Sequence, residues 1–209
     1  MEFWNSLLTE KSWKKMQELK GEHFRFVVIG GWAAYLWTRQ HKSKDIDILL
    51  PDIKDLDFLR QKYSLNKNDA LKKYEIKFED IDLDIYTPYY SRLTLPIEDI
   101  SKETSFIEGF EVILPEILLI LKQGAENDRR DSVKGQKDRI DIMTLLCYAK
   151  IDFGKYHRLL KKYKLESYRL RLKEIIRAFR DFKHLNLNLH EYSKVKKKLL
   201  STLGEEDGR

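Results

Sequence analysis

The sequence predicts an α+β fold, a mixed sheet with helices followed by an all-helical C-terminal region. Two observations carry that expectation. Short apolar or alternating runs, punctuated by Gly, Pro and polar turns, occur up to residue 114 and not beyond it. From Pro115 onward apolar residues recur only at helical spacing. We therefore expect a domain over 1–120 that carries the chemistry and a basic helical domain over 121–209.

Taken in order, residues 3–20 read as an amphipathic helix stopped by Gly21. A strand is expected over 24–29, broken by Gly30-Gly31, and helical character over 32–38. The run 45–50 alternates as a strand does and stops at Pro51. A helix over 53–63 should follow, then strands over 74–78 and 81–86, paired with each other, and a short strand over 110–114. Five helices are expected after that, over 115–123, 135–149, 152–163, 166–182 and 188–201. The terminal Gly-Glu-Glu-Asp-Gly-Arg reads as a frayed tail.

Composition narrows the class. The chain has 209 residues, enough for a sizeable core, and its 42% hydrophobic and 12% aromatic content belongs to a globular protein. No apolar run approaches the roughly 18 residues of a membrane span. The start, with early acids and no small-residue cleavage site, does not read as a signal peptide. Cys147 is the single cysteine, inside an apolar helical stretch, and reads as a buried, inert thiol. A cytoplasmic protein that does not meet a membrane is the expectation.

The net charge of +6 conceals a split. Residues 150–198 hold 16 Lys and Arg against 5 Asp and Glu, a local charge of +11, while 1–149 carry −3. Tyr156, Tyr163 and Tyr168 are interleaved with Arg158, Lys161, Lys162, Lys164, Arg169 and Arg171, a pattern suited to a nucleic-acid backbone with stacked bases. The plainer alternative is the charged solvent face of a helical bundle.

The chemistry centres on Asp45-Ile46-Asp47. Residues i and i+2 of a strand point to one side, about 7 Å apart, so two such carboxylates can ligate hard cations. Asp82 and Asp84 repeat the arrangement on a strand whose buried face is fixed by Ile81, Leu83 and Ile85. If the two strands are neighbours, one of those acids completes a three-carboxylate site; Asp84, followed by apolar Ile85-Tyr86, is preferred to Asp82. Gly30-Gly31, after a strand and before a helix, would let a triphosphate approach the backbone. Thirteen residues separate the glycines from Asp45.

With these residues in view, Val28-Ile29-Gly30-Gly31-Trp32-Ala33-Ala34 and Ser43-Lys44-Asp45-Ile46-Asp47-Ile48 together resemble the signature of the polymerase-beta-like nucleotidyltransferase superfamily. The Gly-Gly-Trp-Ala form, with Thr38-Arg39-Gln40-His41 ahead of the acids, is similar to some aminoglycoside nucleotidyltransferases. Leu118-Leu119-Ile120-Leu121-Lys122 and Lys137-Asp138-Arg139-Ile140-Asp141-Ile142 resemble the later motifs of AbiEii-type abortive-infection nucleotidyltransferases. The resemblance spans about residues 25–145, and the first motif is its most specific part. The chain departs from the small antitoxin branch, which usually has Gly-Ser-Arg where this one has Gly-Gly-Trp.

The resemblance implies a polymerase-beta-like palm and transfer of a nucleoside monophosphate from an NTP to an acceptor hydroxyl. Asp45, Asp47 and Asp84 would hold Mg²⁺ or Mn²⁺, and Gly30, Gly31, Arg39, Ser43 and Lys44 would surround the nucleotide. Lys122 would reach the phosphates, and Asp141 or Asp138 would orient the acceptor or pair with Lys122. AbiEii-type enzymes include toxins of toxin–antitoxin pairs, and some modify tRNA 3′ ends. An RNA or tRNA acceptor and a cognate antitoxin are the partners implied; the alternatives are a small-molecule or protein acceptor, or a non-catalytic RNA-binding or antitoxin-type member of the fold.

Overall fold

A seven-stranded mixed sheet frames the acids of the first half. In this computed structural model, which describes residues 6–204, the chain forms two units, 1–114 and 115–209. The first unit runs α1 (Ser6–Lys20), β1 (Val27–Ile29), α2 (Gly30–Thr38), β2 (Ile46–Leu49), α3 (Asp55–Lys62), β3 (Leu65–Asn68), β4 (Lys73–Phe78), β5 (Ile81–Tyr86), α4 (Ile97–Ile100), β6 (Thr104–Ile107) and β7 (Phe110–Ile113). Spatial order across the sheet is β3-β4-β5-β2-β1-β7-β6.

β2 lies antiparallel to β1 and parallel to β5, while β7 lies parallel to β1. A parallel neighbour needs a long connection. Here α3 and the β3–β4 hairpin fill the stretch between β2 and β5. β1, an interior strand between β2 and β7, is buried along its length and is an unbroken apolar run, Val27-Val28-Ile29. β5 alternates instead, with Ile81, Leu83 and Ile85 in the core and Asp82, Asp84 and Tyr86 on the other face.

Helices α1 and α2 build an aromatic core. Trp32 is fully buried and its indole N–H donates to Ser12 Oγ at 2.8 Å, so the buried polar group is satisfied. Trp13 packs against Trp32 and Phe110 with centroids 5.0 and 5.6 Å apart. Trp37 donates to the Ile113 carbonyl at 2.8 Å, tying the end of α2 to β7.

Two strands, β3 and β6, were not expected. Both are sheet edges of mixed polarity, Leu-Asn-Lys-Asn and Thr-Ser-Phe-Ile, and neither has a clear apolar alternation. They are strands because β4 and β7 offer them a ladder. β1 starts at Val27 rather than Phe24, and β2 starts at Ile46, so Asp45 stands just before it. α2 begins at Gly30 itself. The expected start of the first helix at residue 3 and the frayed tail after Gly204 lie outside the described residues.

The second unit is helical: α5 (Pro115–Asp128), α6 (Val133–Tyr148), α7 (Phe153–Lys162), α8 (Ser167–Ala178), a 3₁₀ turn (Phe182–Leu185) and α9 (Leu189–Thr202). Three of its helix starts are capped: Ser132 accepts from Gly135, Asp152 from Lys155, and Asn188 forms a capping box with Glu191. The expected helix over 166–182 ends earlier, at Ala178, because Phe179 turns extended. Cys147 is part-buried, and burial pushes its thiol up to about 12, which suits an inert side chain. Among the described residues no helix is long and apolar enough to cross a membrane.

The apolar core of α5 and α6 contains a charged seam. Glu126 is fully buried and accepts from Arg139 at 3.0 Å and Arg171 at 2.6 Å. Burial alone would raise its pKa, but the two guanidinium groups offset that and hold it below the ordinary value. Removing the carboxylate leaves two cations facing each other. Glu126→Ala should cost on the order of 3 kcal/mol, read as a lower urea midpoint at unchanged slope. Glu174→Ala removes only the exposed partner of Arg171 and should cost under about 1 kcal/mol.

Candidate functional site

Asp47 sits on β2 opposite Ile29 of β1 and in register with Asp84 of β5. Its carboxylate lies against the backbone of Gly30, whose φ is +63°. A Cβ at Gly30 would fall far inside contact distance of that carboxylate, so glycine is required twice, for the backbone angle and for the space. Gly31 has a parallel reason: a Cβ there would stand 2.5 Å from the buried Ser43 hydroxyl. The fixed spacing from glycines to acids is thus a packing relation, with the loop over 39–45 folding Ser43 and Asp47 onto the start of α2.

Asp45 precedes β2. Its Oδ1 is buried without a hydrogen-bond partner. Such an oxygen carries a desolvation penalty that a donor or cation would relieve. The N-cap residue of α2, Ile29, makes no side-chain cap, and the helix start adds a partial positive charge beside Asp47.

The register extends the acid pair into a row. Asn66 of β3 is opposite Glu75 of β4, Glu75 opposite Asp84, and Asp84 beside Asp47. Asp82 shares the face but stands opposite Lys77, and Asp80 is in the turn, paired with Lys11 at 2.7 Å. The acid in register with Asp47 is therefore Asp84. Lys73 donates to Asp84 Oδ2 at 2.6 Å and its ammonium lies 3.0 Å from Glu75. Burial and the charge of Asp47 raise the Asp84 pKa to about 6, against the lowering influence of Lys73. For Lys73 itself burial is the largest influence and lowers its pKa, but Asp84 and Glu75 more than offset it and the net direction is up.

Asp45, Asp47 and Asp84 offer hard oxygen donors of the kind Mg²⁺ and Mn²⁺ prefer, and the unpartnered Asp45 oxygen fits a cation. Among the described residues, however, no three His, Cys, Asp or Glu side chains stand together as a ready ion site. The donor set suits a hard cation, while Asp84 is held by Lys73.

Other expected residues have different surroundings. Arg39, in the left-handed region at φ 59°, pairs with Glu108 at 2.7 Å and lies over the Tyr35 ring. Lys44 is exposed, and His41 is half-buried. Lys122 belongs to the second unit, where it is buried and pairs with Asp141 at 2.6 Å and Asp138 at 3.7 Å. Arg129 makes a two-pronged bond to the same Asp138. These ion pairs satisfy one another inside the helical unit.

Lys73 and Glu75 stand beside Asp84 in the candidate site, and the sequence alone does not single them out. Their signal lies in Lys-Tyr-Glu-Ile-Lys-Phe, where Tyr74, Ile76 and Phe78 alternate with Lys73, Glu75 and Lys77. What the sequence lacks is the register that sets this polar face beside the acids.

No family model matches the chain, and no curated protein is significantly similar to it. Among solved structures, JHP933 from Helicobacter pylori superposes with a TM-score of 0.48 at 16% identity, covering 96% of this chain and 94% of that one. An antigenic nucleotidyltransferase-like protein from Paracoccidioides brasiliensis gives 0.40 at 16% identity, with 68% and 77% covered. The Megavirus polyadenylate synthase gives 0.43 at 19% identity, with 70% of this chain and 32% of that one covered. Likeness at this level says nothing of function, which has to be read from this chain's own residues.

The elevated pKa of Asp84 is directly measurable. In the metal-free protein, carboxyl ¹³C NMR should show Asp84 titrating near 6, and Asp47→Asn should move that midpoint down. Its folded value is above the unfolded one, so Asp84 favours the fold when protonated, a contribution lost as pH rises through about 6. A midpoint unchanged by Asp47→Asn would mean that the two acids do not feel each other.

Proposed function

We propose that the chain is a metal-dependent nucleotidyltransferase that moves a nucleoside monophosphate from an NTP to an acceptor hydroxyl. The observation that carries this reading is the placement of Asp47, in register with Asp84 on a parallel strand and pressed against Gly30 at the start of α2. Acids and a helix start then lie side by side, which suits a metal–triphosphate substrate.

In this reading the acceptor oxygen attacks the α-phosphorus, a new P–O bond forms, and the bond to the departing pyrophosphate breaks. Asp45, Asp47 and Asp84 would hold Mg²⁺ or Mn²⁺, which when bound neutralises phosphate charge and lowers the pKa of the attacking hydroxyl. The first-turn N–H groups of α2 would meet the phosphates, while Gly30 and Gly31 let Asp47 and Ser43 close against that helix start. Ser43, buried against Gly31, fixes the loop that carries Asp45.

The acceptor we favour is an RNA end, which would also suit a toxin with a cognate antitoxin. Lys161, Lys162 and Lys164 cluster at the end of α7, with Lys162 over the Tyr163 ring. Part of the local positive charge is engaged internally: Arg171 on Glu126, Arg169 on the Leu203 carbonyl and Lys196 on the Arg177 carbonyl. Tyr156, expected among the interleaved aromatics, is fully buried and donates to Gln123, so it is not a stacking platform.

Asp45→Asn and Asp47→Asn should each lower transfer by at least about 100-fold while circular dichroism stays unchanged. The assay is Mg²⁺ with each labelled NTP and total RNA, reading label on RNA or protein; full activity in either variant would remove the two-acid site. For the acceptor, reversing the charge of Lys161, Lys162 and Lys164 should weaken RNA binding and flatten its salt dependence, the slope falling by roughly 0.7 for each phosphate left unneutralised. The control is the same reversal at Lys11, Lys14 and Lys15. Equal weakening in both would point to a small-molecule or protein acceptor.

A further inference from the structure

The acid row poses an electrostatic problem. Glu75, Asp84 and Asp47 occupy consecutive register positions on β4, β5 and β2, and neighbouring strands lie about 4.8 Å apart. Three carboxylates on one sheet face repel one another unless a positive charge stands among them. Lys73 supplies one. Its ammonium bonds Asp84 at 2.6 Å and lies 3.0 Å from Glu75. The side chains of Lys73, Asp84 and Glu75 are only 12%, 16% and 18% exposed. Asn68 secures the far side by donating to Glu75 at 2.9 Å. A lysine on a sheet face ordinarily extends its ammonium into water; this one is drawn down onto the acids.

We propose that Lys73 is a built-in counter-ion of the acid row: it holds Asp84 while no divalent cation is bound, and releases that carboxylate when one arrives. The inference rests on the metal site proposed above and explains a feature of it. The in-register pair is formed, no three acids among the described residues make a ready ion site, and Asp84 is bonded to the ammonium. Ammonium and divalent ion then compete for one carboxylate, and each weakens the other's hold by the same factor. After release Glu75 remains as a partner for Lys73, so the lysine is not left uncompensated. Lys73 thus acts as a positioning residue, keeping a charge-dense face stable before the substrate metal enters.

A lysine that merely braces the hairpin makes the opposite forecast. The experiment is Mn²⁺ binding to the whole metal-free chain at pH 8, followed by electron paramagnetic resonance of free Mn²⁺, with the melting temperature as a second readout. Wild type should bind Mn²⁺, and Asp84→Asn should bind it more weakly. Lys73→Met should bind it on the order of tenfold more tightly, with a lower metal-free melting temperature and a larger rise on adding Mn²⁺. Lys73→Arg, whose planar fork grips a carboxylate harder, should bind Mn²⁺ more weakly than wild type. Equal or weaker binding by Lys73→Met, beside a wild type that binds, overturns the counter-ion role and leaves the metal site standing. Absence of Mn²⁺ binding by wild type, with NTP present, overturns both. Should Lys73→Met not fold, Lys73→Gln takes its place, and an unchanged affinity in Lys73→Arg is equally decisive against the proposal.

Discussion

The first unit depends on one close approach, the Asp47 carboxylate against the bare Cα of Gly30. That approach needs a left-handed backbone at the junction of β1 and α2, and it needs β2 antiparallel to β1 so that Asp47 comes back opposite Ile29. Gly31 then admits Ser43, and the loop between them has little freedom left. Helix start, acid and loop are fixed together by two missing methyl groups. A substitution at either glycine would therefore disturb the site and the fold at once.

Charge is handled differently in the two units. In the sheet the acids stand in a row on one face, with an oxygen of Asp45 left unpartnered and a single lysine among Glu75 and Asp84. In the helical unit three of the four buried acids among the described residues each meet a cation: Glu126 with two arginines, Asp138 with Arg129, Asp141 with Lys122; the fourth, Glu116, accepts from the Asp152 backbone N–H. The second arrangement is self-neutralising and structural. The first leaves a buried oxygen of Asp45 without a hydrogen-bond partner, which a cationic ligand would relieve.

Elements with a buried face are legible from residues alone. Ile81, Leu83 and Ile85 announce β5, and Val27-Val28-Ile29 announces a strand covered on both sides. Edges are not legible, because Leu65-Asn66-Lys67-Asn68 has no face to bury and becomes a strand only through its neighbour. For the site, Asp45, Asp47 and the glycines can be read from local spacing. Lys73 cannot, since its role depends on which strand lies beside β5, a long-range pairing that no local pattern encodes. The same limit applies to Lys122 and Asp141: helical spacing shows that Asp141 can share a face with Asp138, but not that both are buried with Lys122.

The parallel pairings also bear on the order in which the chain folds. Residues joined across the β4–β5 and β6–β7 hairpins are neighbours in sequence, whereas Asp47 meets Asp84 and Val28 meets Val112 across long excursions of the chain. Closing long loops costs entropy before any contact repays it, and such contacts form slowly. The hairpins can form early, and with the β4–β5 hairpin comes the pairing of Lys73 with Asp84. Asp47 joins only when the central strands dock. A chain still emerging from the ribosome would thus form the Lys73–Asp84 pair before Asp47 came into register beside it.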